Sequence, residues 1–224
     1  LAPANFGSPL AHKGKSFLGS VVKGRYKVGD LLETGRQLLN GLELASPYQW
    51  DLAHKDIYHP QPWYTPQRIQ TTVLVGAKGF GGISGIFANR PGTDGTVVIS
   101  GTSLDSTKLV LDFNRPRTAD GFYMPMAWRV TNPPDQFAFG VLEGLDHGSI
   151  VEEAGNAKSQ AAKLILKALG TGLSTAGNSA QEFLDFAGEV EAMTKQTYKK
   201  TGDPEYQQFI LRTVDDQEVP VRPA

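Results

Sequence analysis

Apolar positions recur with different periods along this chain, and each period predicts a different kind of element. Leucines recur at helical spacing over 31–44, behind a capping-box start at Asp30 and Glu33. This pattern predicts an amphipathic helix with one leucine-lined face. The following stretch, 47–68, is rich in proline and aromatic residues, and we expect an ordered loop there.

The middle of the chain alternates between β-branched runs and turn residues. These runs predict five short strands, over residues 71–75, 96–100, 108–113, 127–130 and 137–142. Helical periodicity then predicts two helices, over 156–169 and 179–200. Alternating helices and strands are typical of an α/β fold.

The two ends of the chain carry patterns of their own. Residues 1–10 predict the exit of a buried strand followed by a loop, because prolines and Gly7 disfavour a regular element there. Residues 209–221 predict a β-hairpin. We therefore expect one domain unit over 1–178 and a helix-plus-hairpin extension over 179–224.

Composition restricts the classes of function without naming one. The chain has 224 residues, of which 40% are hydrophobic and 20% charged, enough for a sizeable core. Its net charge is −1 with both signs interspersed, so we expect no nucleic-acid partner. It has no cysteine, which excludes a disulfide scaffold and a cysteine nucleophile. No apolar run approaches the roughly 20 residues of a transmembrane helix, and the sequence indicates no compartment.

Two glycine-flanked loops carry the residues of greatest chemical interest. One is Gly92-Thr93-Asp94-Gly95-Thr96-Val97 and the other is Leu145-Asp146-His147-Gly148-Ser149-Ile150-Val151. The first places Asp94 just before the predicted strand over 96–100, and the second places His147 just after the predicted strand over 137–142. An acid and a histidine are two of the three members of a nucleophilic triad, so we expect a hydrogen bond from His147 Nδ1 to Asp94.

Three short motifs together resemble the lipase and esterase branch of the serine α/β hydrolases. That family has a Pro-x-x-Gly-Ser turn, which residues 3–8 match with one extra residue. Its acid lies in an Asp-Gly-x-Val turn, matched by 94–97, and its histidine follows Asp or Asn, matched by 146–147. Over about 1–170, the resemblance implies part of a three-layer α/β-hydrolase fold, with a mostly parallel sheet and a helical lid insertion at about 10–68.

The resemblance also implies a reaction and a role for each residue. It implies hydrolysis of a small-molecule or lipid carboxylic ester, with His147 as general base, Asp94 as its orienting carboxylate and no cofactor. Some lipases of this type bind calcium through an acid two positions after the histidine. That position is Ser149 here, so we expect no metal site.

The third member of the triad is missing from this chain. No Gly-x-Ser-x-Gly elbow occurs, and Ser84 follows the wrong strand for the family's chain order, so we expect Ser84 to be structural. The chain begins with Leu1 rather than Met. We therefore expect the serine and the oxyanion donors in an upstream part of the same protein, and this chain alone to be incomplete and inactive.

Two other classes of function stay open. The segment 76–82 matches Gly-x-x-Gly-x-x-Gly after a predicted strand, and it resembles the NAD(P)-binding loop of extended short-chain dehydrogenases. Against that class, Pro91 leaves only about two turns for the required helix, and no Tyr-x-x-x-Lys occurs. The third class is an inactive hydrolase relative that acts as a binding module, which the absent serine favours.

The remaining histidines are weaker candidates for a catalytic base. His12, His54 and His59 fall in the predicted lid and its loops, where we expect surface positions or aromatic clusters. Of these, His12 is the reserve candidate.

Overall fold

The computed structural model describes part of the chain, as a mixed α/β fold. The described residues are 1–11, 37–81, 90–111, 126–130, 137–171, 179–201, 207–213, 215, 219 and 221. Their helices are α1 (Pro47–Lys55), α2 (Ile99–Thr102), α3 (Ser149–Ala154), α4 (Gln160–Gly170) and α5 (Ser179–Thr201), and their strands are β1 (Thr71–Gly76), β2 (Thr107–Leu111), β3 (Met126–Val130) and β4 (Phe137–Leu142).

Strands β1 and β4 form a parallel pair. Thr71 lies opposite Phe137, and Gly76 lies opposite Leu142, so both strands end at the same edge. The amide of Ala2 donates to the carbonyl of Leu74 over 2.7 Å, which places the first residues of the chain beside β1. Loops that follow parallel strands meet at their carboxyl edge, and here these are the loops that begin after Gly76 and Leu142.

The two faces of this strand pair contribute to different hydrophobic clusters, because successive side chains on a strand point to opposite sides. Leu74 and Leu142 pack with α4 and α5, whereas Val75 and Val141 pack with Val97 on the other side. The first cluster has further fully buried members, among them Ala138, Ile150, Phe183 and Val190. The parallel pair is therefore covered on both faces.

Helix α5 also satisfies polar groups of β4. The Thr194 hydroxyl accepts from the amide of Val141 at 3.0 Å and donates to the carbonyl of Phe139 at 3.1 Å. Unpaired strand amides and carbonyls offer a template for another chain. Thr194 pairs one such amide and one such carbonyl within this molecule. The helix predicted over 179–200 is confirmed, and α5 extends it by one residue to Thr201.

The predicted strand over 96–100 is wrong. Thr93 and Val98 form an isolated antiparallel bridge, and Ile99 begins the short helix α2. The Asp94 carboxylate accepts from two amides of this segment and holds it in a turn. The β-branched run that predicted a strand instead packs apolar side chains, including Val97, into the core.

The predicted strands over 108–113 and 127–130 are present as β2 and β3, within the described residues. They pair antiparallel with each other, with Thr107 opposite Val130 and Leu111 opposite Met126. Among the described residues there are thus two two-stranded sheets, one parallel and one antiparallel.

Two predicted boundaries near helices are also wrong. The stretch 47–68 is not all loop, because α1 begins at Pro47, and Ser46 caps it by accepting from Gln49 N. Proline is well tolerated in the first helical turn, where its missing amide has no partner to lose. Helix α4 begins at Gln160 rather than 156, since the Ser159 side chain caps it, and a separate helix, α3, precedes it.

Other predictions fall partly outside the described residues. Of the leucine helix predicted over 31–44, residues 37–44 are described: 37–42 are helical, and the helix ends before 43–44, where Glu43 bridges to Ser8. In the C-terminal segment no described residue is in a strand, although Asp215 N donates to Val219 O and Val221 N donates to Thr213 O. The hairpin, part of which lies outside the described residues, stays a prediction. The division into units at 178 and 179 stays a prediction.

Candidate active site

Asp94 lies in a tight turn that buries its carboxylate completely. Its Oδ1 accepts from the amides of Thr96 at 3.0 Å and Val97 at 2.9 Å. Gly95 adopts φ +97°, a backbone conformation that residues with a Cβ rarely take. Aspartate and glycine are thus both needed for this turn, one for its acceptor and the other for its φ.

His147 lies in the loop between β4 and α3, and Asp146 organises that loop. Asp146 Oδ1 accepts from the amides of Gly148 at 3.0 Å and Ser149 at 2.8 Å, and from the Ser149 hydroxyl at 2.9 Å. These bonds, that from the Ser149 amide first, hold the pKa of Asp146 below its usual value, and the positive charge of Lys78 adds to the effect. The Asp146 side chain, which precedes His147, therefore fixes the backbone that follows His147.

Asp94 and His147 are in direct contact. His147 Nδ1 lies 2.9 Å from Asp94 Oδ2, and the His147 amide donates to the Asp94 carbonyl over 3.0 Å. The predicted hydrogen bond between them is confirmed. Because a carboxylate accepts, Nδ1 donates, and the neutral ring is left with its lone pair on Nε2. Within the described part of the chain, Nε2 makes no hydrogen bond.

The surroundings of His147 favour its protonated form. The hydrogen bond to Asp94 raises the pKa of His147, and the negative charges of Asp94 and Asp146 raise it further. Partial burial and the amino group of Leu1 lower it, but the net direction is upward. The His147 side chain is 33% exposed, whereas that of Asp94 is 0% exposed. The ring can therefore accept a proton from a group on its solvent-accessible side while Asp94 stays shielded from water.

The loop after β1, residues 76–81, packs against the His147 loop. A Cβ on Gly76 would lie 2.2 Å from the carbonyl oxygen of Leu145, so only glycine fits. The amides of Ala77 and Lys78 donate to the carbonyls of Leu142 and Leu145, each over 2.9 Å. A dinucleotide loop needs free amides for its pyrophosphate, and these two are already paired.

The other histidines lie away from this pair or outside the described residues. His54 lies between Trp50 and Tyr58, with ring centroids 5.1 and 5.2 Å away, as the expected aromatic cluster requires. Its Nε2 also lies 2.8 Å from Lys108 Nζ. His59 contacts Trp63 at 6.0 Å. His12 and Ser84 lie outside the described residues.

The described residues also lack two features that often accompany a site of this kind, a metal cluster and a membrane-spanning helix. They contain no group of three or more histidine, aspartate or glutamate side chains placed to hold a metal ion. Over the same residues, no helix is both long and apolar enough to cross a membrane.

Two supporting features of the site were not predicted from the sequence. The bonding of Asp146 to the amides of Gly148 and Ser149 has a visible signal, because aspartate is one of the residues preferred where a chain enters a helix. The packing of the loop at 76–81 on the His147 loop has none, since it depends on which strands are neighbours.

Comparison with known proteins places the fold. No protein-family model matches the chain, and no curated protein is similar enough in sequence to match it. The phospholipase PlaB from Legionella pneumophila is similar in structure, with a TM-score of 0.70 and 24% identity, over 98% of this chain and 48% of the PlaB chain. PlaB in complex with thio-NAD matches with a TM-score of 0.69 and 25% identity, over 98% and 46% respectively.

These comparisons support a relation to a lipase-type hydrolase. The likeness extends over nearly all of this chain, which spans about half the length of the phospholipase chains it matches. The mixed α/β arrangement with its small parallel sheet is thus one that a phospholipase also has.

Proposed function

We propose that this chain carries the acid and the base of a carboxylic-ester hydrolase of the lipase or esterase type, with an α/β-hydrolase arrangement. The contact of 2.9 Å between His147 Nδ1 and Asp94 Oδ2 carries this proposal. It joins a fully buried carboxylate to a partly exposed imidazole, at the carboxyl edge of a parallel strand pair. The structural likeness to a phospholipase supports the same class.

In the proposed reaction, a serine upstream of Leu1 attacks the ester carbonyl carbon. His147 Nε2 takes the serine proton, and Asp94 stabilises the imidazolium that forms. The tetrahedral intermediate then collapses, the alcohol leaves with the proton from Nε2, and an acyl-serine remains. Water attacks this ester, His147 takes one of its protons and returns it to the serine, and the carboxylic acid is released.

The position of the first residues agrees with an upstream serine. The amide of Ala2 donates to the Leu74 carbonyl of β1. A polypeptide that continues before Leu1 therefore enters beside the strand pair whose loops carry the site. We propose that the nucleophile and the oxyanion donors come from that segment.

The leucine-bearing segment 37–44 is proposed as part of a lid. Ser8 connects it to the site, since the Ser8 amide donates to the Leu42 carbonyl at 2.8 Å and its hydroxyl donates to the Thr96 carbonyl in the Asp94 turn. Leu38 is 61% exposed, and Leu42 is also exposed. An apolar cover close to the site suits an ester with a hydrophobic acyl group. The variants Leu38→Ser and Leu42→Ser should raise KM for long-chain esters more than for short-chain esters. Equal effects on both classes of ester would contradict the assignment of this segment to a lid.

Ester turnover tests the proposal directly. A polypeptide that includes the upstream segment should hydrolyse p-nitrophenyl esters, whereas the 224 residues alone should not. The variant His147→Ala should lower kcat by several orders of magnitude, and the control His59→Ala, at a site away from Asp94, should not. Equal turnover in His147→Ala and the unaltered polypeptide would contradict the assignment.

Dinucleotide binding is the second candidate, and the thio-NAD complex of the similar phospholipase favours it. We propose that the loop at 76–81 is not such a site, because the amides of Ala77 and Lys78 are paired. Titration with NAD should then show no saturable binding that depends on this loop, and Gly79→Val should disturb folding rather than affinity. Micromolar binding that Gly79→Val removes from a folded protein would restore the loop as a nucleotide site.

A further inference from the structure

The loop over residues 76–81, called the bridging loop from here on, touches both halves of the candidate site. Toward His147 it is held by the paired amides of Ala77 and Lys78. Toward Asp94 it contributes the Phe80 ring, which lies against Gly95, and a Cβ on Gly95 would approach Phe80 Cδ2 to 2.7 Å. One short segment thus spans from the loop of the base to the turn of the acid.

We infer that Phe80 is a positioning residue for the Asp94–His147 pair, because it presses the Asp94 turn against a loop that is anchored to the His147 loop. This inference rests on the proposed function. The role suits an aromatic ring, which offers a flat face to a glycine without a side chain. It also gives the glycine-rich segment a role that does not require a bound dinucleotide.

The hydrogen bonds of Asp94 show why an external contact is needed. Asp94 Oδ1 accepts from Thr96 and Val97, which belong to the same turn. Those bonds orient the carboxylate within the turn, but they move with it. Between the two loops, the His147 amide donates to the Asp94 carbonyl over 3.0 Å, and the Phe80 contact adds side-chain packing to that backbone bond. The packing of Phe80 on Gly95 acts between two separate segments, so it opposes a shift of the whole turn.

The titration of His147 reports this distance without any assay of activity. The charged groups that act on the ring are Asp94, Asp146 and the amino group of Leu1, and Lys78 acts on Asp146. Substituting Phe80 changes none of these charges. A downward shift of the His147 titration in a Phe80 variant would therefore report a weaker bond to Asp94, an effect that general loss of stability does not produce in a folded protein.

The first experiment is a histidine NMR titration of the protein, with His147→Gln to assign the resonance. The reference variant Asp94→Asn should lower the midpoint furthest, and Phe80→Ala should lower it part of the way. The conservative Phe80→Leu should lie between Phe80→Ala and the unaltered protein. The control Phe209→Ala, which truncates a ring that is 82% exposed, should leave the midpoint unchanged.

A second arm measures ester turnover in the polypeptide that includes the upstream segment. Phe80→Ala should lower kcat by up to about 100-fold with KM little changed, since a misplacement of about 1 Å costs that much. If Asp94→Asn and Phe80→Ala lower the midpoint but no turnover depends on His147, the proposed function fails and the positioning role stands. An unchanged midpoint in folded Phe80→Ala overturns the inference. If Phe80→Ala does not fold, an unchanged midpoint in Phe80→Leu overturns the inference instead.

Discussion

The Asp94 turn and the His147 loop are stabilised in opposite ways, although one hydrogen bond joins them. The Asp94 carboxylate is itself the fixed point of its turn, buried and bonded to two amides as well as to the imidazole. The His147 ring is bonded through Nδ1 and is one-third exposed, while the neighbouring Asp146 stabilises its loop. The proposed acid thus also stabilises the fold of its own turn, whereas the ring of the proposed base is partly exposed.

This difference separates stability from activity in the expected effects of mutation. Changes at Asp94 that remove its acceptor oxygen should lower both stability and activity, because that oxygen satisfies amides that otherwise stay buried without a partner. Changes at His147 should cost activity while leaving most of the fold intact, because its side chain supports little else.

The largest expected effect is on turnover in Asp94→Asn. The amide side chain keeps an acceptor for Thr96 and Val97 but can present its NH₂ group to Nδ1, which favours the wrong imidazole tautomer. We expect kcat for ester hydrolysis to fall by about 10⁴-fold with the melting temperature little changed. The exposed control Asp185→Asn should retain full kcat, and a loss of less than tenfold in Asp94→Asn would argue against its orienting role.

The next effect is on stability, at Gly95. Alanine there must adopt a positive φ and also crowd the Phe80 ring, so we expect a loss of roughly 2–4 kcal/mol in the free energy of unfolding. The matched control is Gly144→Ala, where φ is +75° but a Cβ would meet nothing within 4 Å. It should cost only about 1–2 kcal/mol. Equal losses in denaturant melts of the two variants would show that crowding by Phe80 is absent.

A smaller loss is expected at the edge of the strand that leads to His147. Thr194→Val preserves shape but removes the hydroxyl that pairs with Val141 N and Phe139 O, at a cost of about 1–3 kcal/mol. The control Thr197→Val removes a hydroxyl that donates to Met193 O on its own helix, and it should cost less. Chemical denaturation of both variants compares them, and a larger loss at Thr197 would contradict the importance of this contact.

The smallest effect is the dependence of stability on pH. The folded pKa of His147 is raised, so its contribution is fully present below the ordinary histidine pKa of about 6.5 and is lost as pH rises through the folded value. The variant His147→Gln should therefore flatten the stability profile in that window. The test compares thermal melts of His147→Gln and the unaltered protein across this pH range. A steeper stability profile in the variant would contradict the predicted direction of the pH dependence.

Part of this architecture could be predicted from the sequence, because its signals are local. The apolar runs predict β1 and β4. An Asp-Gly pair before one predicted strand and an Asp-His pair after another mark the two site loops, and their contact was predicted by placing both loops at the same edge of the sheet.

The rest depended on which hydrogen bonds and close approaches form, and apolar periodicity does not encode these. The run at 96–100 has strand propensity, but the Asp94 carboxylate holds its first amides in a turn and Ile99 starts a helix. The bridging loop has the spacing of a dinucleotide motif, yet its glycine at 76 serves a close approach to Leu145. The first case is a local side-chain acceptor that overrides strand propensity, and the second is a close approach of backbone that is distant in sequence.

Covalent labelling tests the central claim most directly, that His147 activates a serine from the upstream segment. A polypeptide that includes this segment would be treated with a fluorophosphonate, which reacts with an activated serine, and the labelled peptide identified by mass spectrometry. We predict one labelled serine, located before Leu1, with labelling lost in His147→Ala and kept in His59→Ala. Labelling that is unchanged in His147→Ala, or absent from a folded polypeptide, would contradict the account.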